Sequence, residues 1–196
     1  MATVLRIAAV SYLDTIPFLY GIEHALEVRA ELSLSDFPAS IEEFRTRKAD
    51  IALVPAHVVP SLDGARIVTD YCLGAPSPVL VEALAACEPD AAILRYFTAE
   101  EAPLAPLLAA GHPFAYAVWV ARAETDPALV EALQHALTHG LEHTYEAVVA
   151  AGYADRPYDA YAYLTQADPL FDEQKSRALR KLWAAGLKTA PRANPG

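Results

Sequence analysis

The sequence is short of the residues that would place it in several common classes. Only Cys72 and Cys87 are cysteine, and they stand in no metal-ligand spacing. That excludes a disulfide-stapled secreted scaffold and makes a reducing, cytoplasmic home the expectation. No apolar run approaches the roughly 18 residues that a membrane-crossing helix needs, so no membrane partner is expected. Basic residues are outnumbered, 15 Lys and Arg against 25 Asp and Glu, for a net charge of −10. A uniformly acidic surface repels a phosphate backbone, which argues against nucleic acid as a partner. The first ten residues are apolar but carry Arg6 in their middle, and they lack the basic start and cleavage site of a signal peptide. Glycine-rich phosphate loops, Ser-His-Asp ordering and Cys-x-x-Cys pairs are all missing. What remains is a chain of 196 residues, 54% hydrophobic and 20% charged, long enough to bury a sizeable core.

Its hydrophobic pattern alternates between strand and helix. Val4–Val10 is a short apolar run suited to a buried strand, followed by the turn Ser11-Tyr12-Leu13-Asp14-Thr15-Ile16-Pro17 and a helix opened by Pro17. Val28–Leu34 alternates as a strand. Ser40 with Glu43 has the spacing of a capping box, which predicts a helix from there to about Lys48. Ile51–Val54 reads as a strand stopped by Pro55, and Ile67–Val79 as a strand running into an irregular stretch. A possible strand, Ala91–Leu94, and a short helix, Glu100–Ala109, follow; Phe114–Arg122 is the clearest strand of the second half. Asp126-Pro127 supplies an N-cap and a first-turn proline to one long amphipathic helix reaching Ala150, with Val130, Leu133, Leu137 and Leu141 facing the sheet. Pro157–Gln166 and Asp172–Ala185 read as two further helices. Such alternation predicts an α/β fold with a mostly parallel sheet.

Four ordered blocks of sequence carry a resemblance. Val10-Ser11-Tyr12-Leu13-Asp14-Thr15-Ile16-Pro17, Asp50-Ile51-Ala52-Leu53-Val54-Pro55, Asp70-Tyr71-Cys72-Leu73-Gly74 with Ser77-Pro78-Val79, and Pro113-Phe114-Ala115-Tyr116-Ala117-Val118-Trp119 resemble the chorismate dehydratases of the futalosine route to menaquinone. That resemblance implies a type II periplasmic-binding-protein-like fold: two α/β lobes joined by two crossing strands, with the ligand between them. It implies a cofactor-free hydro-lyase that converts chorismate to 3-[(1-carboxyvinyl)oxy]benzoate. The interval between the two crossings is short here, so the expected architecture is one main lobe, residues 1–80 and 114–196, with 81–113 as the remnant of the second. The same shortness leaves open an alternative, a catalytically impaired or inactive single-lobe homologue that binds a small carboxylate. The oligomeric state is open.

The expected site lies in the loop after the first strand, at the sheet's carboxyl edge, where ligands of open α/β sheets bind. The resemblance makes Asp14 the catalytic residue and Ser11, Tyr12, Thr15 and Ser77 the substrate-binding residues for a chorismate-like dicarboxylate. Ser11 and Thr15 are donors to the ligand on this reading, or caps of the helix on the plainer one. Asp14 stands where the family has Asn. It acts as an acid if burial raises its pKa, repels a dianion if ionised, or is an ordinary turn residue. His135, His139 and His143 step along one helix at metal-ligand spacing, but such a row is more often a solvated face. Tyr153, Tyr158, Tyr161 and Tyr163 read as packing residues, and Trp119 and Tyr116 as side chains that reach the cleft from the crossing strand.

Overall fold

A computed structural model describes residues 4–75, 114–156 and 159–184. Their framework is a 5-stranded open sheet in the order β2-β1-β3-β5-β4. The strands are β1 (Leu5–Val10), β2 (Ala30–Ser35), β3 (Ile51–Pro55), β4 (Ala65–Ala75) and β5 (Phe114–Arg122). β1 pairs in parallel with β2 and β3, whereas β5 runs antiparallel to both of its neighbours, β3 and β4. The carboxyl ends of β1, β3 and β4 therefore share one edge with the start of β5. Central strands are buried on both faces, and β5 is buried along its whole length, which is why these strands read as continuous apolar runs.

Helices α1 (Ile16–Ala25), α2 (Phe37–Arg45), α3 (Pro127–Glu142), α4 (Thr144–Ala150), α5 (Ala160–Gln166) and α6 (Glu173–Ala184) cover this sheet. On one face Phe18 of α1 meets Trp119 edge-on at 6.3 Å between ring centroids. On the other, the guanidinium of Arg122 lies 4.0 Å above the ring of Phe44 in α2. Residues 119 and 122 differ in parity along β5, so the strand's pleat alone sends them to opposite faces.

Three local expectations are corrected. Helix α2 begins at Phe37, because Asp36 accepts the Ala39 N–H at 2.9 Å and Pro38 sits in the first turn. Ser40 is no cap: it lies inside α2, fully buried, and its hydroxyl donates to the Leu53 carbonyl at 2.8 Å. The helix ends at Arg45 rather than Lys48. The stretch 127–150 is two helices broken at His143, whose backbone (φ −115°, ψ 35°) leaves the helical region. Side chains satisfy the carbonyls around the break: His143 Nδ1–H donates to His139 O and the Thr144 hydroxyl to Leu141 O.

The apolar stripe of α3 packs mainly on α1, with β4 beyond it. Leu133 and Leu137 are fully buried, while Val130 and Leu141 are half-buried against the same core. The two helices cross closely because each brings a glycine to the contact. A Cβ on Gly21 would stand 1.9 Å from Ala136 O, and one on Gly140 would stand 1.9 Å from Pro17 O. The anticipated strand Ala91–Leu94, helix Glu100–Ala109 and lobe remnant 81–113 lie outside the described residues.

Candidate functional site

The segment after β1 does not run straight into α1. Leu13–Thr15 forms a 3-10 turn joined to the helix, fixed by the Thr15 hydroxyl. That oxygen accepts the Tyr12 N–H at 3.0 Å, while its proton is shared between the carbonyls of Val10 (2.8 Å) and Tyr12 (2.6 Å). The backbone N–H of Thr15 bonds Tyr12 O, and that of Ile16 bonds Leu13 O. The amide end of the combined helix therefore falls at Leu13 and Asp14 rather than at Pro17.

Asp14 is buried, 8% exposed, and Oδ1 accepts the Tyr163 hydroxyl of α5 at 2.9 Å. Its Oδ2 has no hydrogen-bond partner among the described residues. Burial pushes the carboxyl up to about 6, against the opposing pull of the Tyr163 hydrogen bond and its own backbone amide. Burial also lifts Tyr116 to about 12, with Asp14's charge adding to the effect, and raises Tyr163 for the same two reasons. Asp14, Pro17 and Phe18 wall a pocket of about 20 Å³ with Leu73, Thr144 and Leu164, room for one water. This pocket opens at the carboxyl edge of the sheet, beside the end of β4.

The expected site residues divide by location. Ser11 is exposed and Tyr12 half-buried, its ring 5.4 Å from that of Phe37. Thr15 is fully buried with its hydroxyl engaged by the backbone. Ser77 lies outside the described residues. Tyr163, read as packing, is the residue that sequence reasoning missed: it reaches Asp14 across 149 positions, and no local pattern marks such a pairing. Trp119 is a fully buried core residue rather than a cleft residue, and Tyr116 is buried beside Asp14. His139 and His143 stack at 4.0 Å, and no group of three or more His, Cys, Asp or Glu among the described residues is placed to hold a metal.

A strap closes the site from behind. The chain after α5 runs along β4, with Cys72 N–H donating to Pro169 O and Phe171 N–H to Asp70 O. The fully buried Lys175 pins it, its Nζ bonding the carbonyls of Asp168 and Leu170 and pairing with the Asp168 carboxylate at 2.8 Å.

No family model matches the sequence, and no curated protein matches it. Solved structures do match. The protein AF1704 of Archaeoglobus fulgidus is 15% identical with a TM-score of 0.68, over 94% of this chain and 98% of its own. A Candida albicans gene product, CA3427, described as having the generic periplasmic binding protein fold, is 10% identical with a TM-score of 0.61, over 97% and 92%. The ligand-binding component of an ABC-type import system from Staphylococcus aureus is 10% identical with a TM-score of 0.59, over 96% and 94%. The chain thus has a type II periplasmic-binding-protein-like fold, and the interval between the crossing strands, residues 76–113, lies outside the described residues.

These findings overturn the enzymatic reading. The fold is shared with ligand-binding components, and no family model, that of the chorismate dehydratases included, matches the sequence. Three of the four blocks that suggested a lyase lie mainly along β3, β4 and β5 and are largely the apolar strands of the fold itself; the first, Val10–Pro17, is the turn after β1 and the start of α1. With the enzymatic reading fall a lyase activity, chorismate as substrate and a place in menaquinone biosynthesis. The expected cytoplasmic location is overturned by the same likeness to a periplasmic-binding fold and an import-system component.

Proposed function

We propose that this chain is a non-catalytic binding protein for a small carboxylate, taken up at the carboxyl edge of the sheet over the loop Ser11–Thr15. The observation that carries this reading is Asp14: a buried carboxyl with one oxygen lacking a partner among the described residues, in the wall of a one-water pocket on that edge, so that it meets the ligand by charge and through water rather than by direct contact. Ser11 offers an exposed hydroxyl, and Tyr12 offers its phenol, as donors to the ligand. Thr15 keeps the loop in shape through its three backbone contacts, and Ser77 is the expected contact from beyond β4. Asp14 acts on the ligand by its charge. Protonated, it leaves the edge neutral; ionised in a low-dielectric wall, it repels an incoming carboxylate by about 1–4 kcal/mol at close range.

Equilibrium dialysis or calorimetry with acetate, succinate and benzoate, at about pH 5 and about pH 8, tests this. At least one should bind, more tightly at the lower pH. Asp14→Asn should bind more tightly than the parent at the higher pH, and the difference should shrink at the lower. Failure of all three carboxylates to bind at either pH would overturn the reading. Equal affinities of parent and variant at both pH values would remove Asp14 from the site.

A further inference from the structure

A second concavity lies away from Asp14, at the start of β4 rather than at its end. The 3-10 segment Ala56–Ser61, the first residues of β4 and helix α6 enclose a groove of about 500 Å³. That volume falls in the range typical of small-molecule sites. Val59, Leu62, Ile67, Leu179 and Trp183 form its apolar walls. Trp183 is held as a fixed wall, because its indole N–H donates to Ala56 O at 3.1 Å.

The charge of the groove runs against that of the chain. In a protein of net charge −10, its lining holds two arginines, Arg66 and Arg180, and no carboxylate. Arg180 shares Glu173 with Arg177, so that group retains one positive charge. Arg66 is exposed, and its side chain makes no hydrogen bond or ion pair among the described residues. An apolar slot with an unengaged guanidinium at its rim matches an amphiphilic anion: a flat apolar body carrying one carboxylate, with the body against Trp183 and the carboxylate taken by the fork of Arg66. Residues 185–196 are a poorer fit, since the sequence there carries Lys188 and Arg192 and no Asp or Glu.

We infer that this groove is a binding site for a small aromatic or aliphatic monocarboxylate, separate from the site at the carboxyl edge. The probe is 2-naphthoate, with 2-naphthylmethanol as its neutral counterpart, measured by equilibrium dialysis on the full chain. Naphthoate should bind and the alcohol should bind more weakly. Arg66→Glu should lower naphthoate affinity by about tenfold or more and Arg66→Lys by less, as expected for a charge-assisted, bidentate contact. Because Arg66 is exposed, neither change disturbs the core. Absence of naphthoate binding overturns the inference, as does an affinity that Arg66→Glu leaves unchanged. Sedimentation that shows a dimer broken by Arg66→Glu would assign the groove to a second copy of the chain and overturn it equally.

Discussion

Burial raises the proton affinity of Asp14, and the consequence for stability has a definite sign. The folded carboxyl titrates at about 6 against an ordinary value of 3.8. Folding is therefore favoured by the neutral form. Asp14's contribution to stability is fullest below about pH 4, falls as the pH climbs through 6, and levels off with a loss on the order of 3 kcal/mol. An amide at this position cannot ionise and still accepts the Tyr163 hydroxyl through its oxygen. Asp14→Asn should therefore raise the urea midpoint at about pH 8 and leave it within about 1 kcal/mol of the parent near pH 4. The same increment at both pH values would mean that the carboxyl is not ionised at a cost in the folded protein. Of this residue, the sequence announces only a choice between turn residue, acid and repelling charge. Burial is what selects the acid, against the pull of the Tyr163 phenol, and that phenol is contributed by a distant helix.

At the scale of elements, the crossing of α1 and α3 rests on the absence of two side chains. Gly21 and Gly140 bring the helix backbones so near that an added methyl overlaps a carbonyl oxygen from either side. Gly140→Ala gains helix propensity, worth about 1 kcal/mol, but forces the helices apart at a cost of at least 1–3 kcal/mol. The net result should be a destabilised protein with a lowered melting temperature. A variant as stable as the parent would show that the crossing is looser than its geometry. Sequence patterns served well where one element decides its own fate: β5 and the Asp126-Pro127 start of α3 follow from β-branched or aromatic content and from capping chemistry. They served badly where a neighbour decides. Ser40 looks like a cap until Leu53 claims its hydroxyl. The stripe of α3 looks sheet-facing until the two glycines admit α1 between.

For the whole molecule, alternation of strand and helix made the fold class legible, while its periplasmic-binding-protein type came only as what the resemblance implied. Function was not legible in the same way, because strands buried on both faces draw on few residue types. Similar apolar runs recur wherever this sheet is built, whatever ligand it serves. The sheet order carries a further expectation. β5 lies between β3 and β4, so residues 1–113 alone leave β3 with an unpaired edge and β4 with no partner among the described strands. That fragment should show no cooperative unfolding transition by circular dichroism, and a sharp transition would contradict the central role of β5.

Synthesis on the ribosome must meet the same constraint in time. The apolar Ile51-Ala52-Leu53-Val54 emerges well before the strand that covers its open edge. At roughly 5–20 residues per second, that edge stays bare for seconds. An unpaired hydrophobic edge is a template for pairing with other chains. The late arrival of β5 makes the nascent chain dependent on whatever shields β3 during that interval, and gives slow codons between 56 and 122 a direct cost in aggregation.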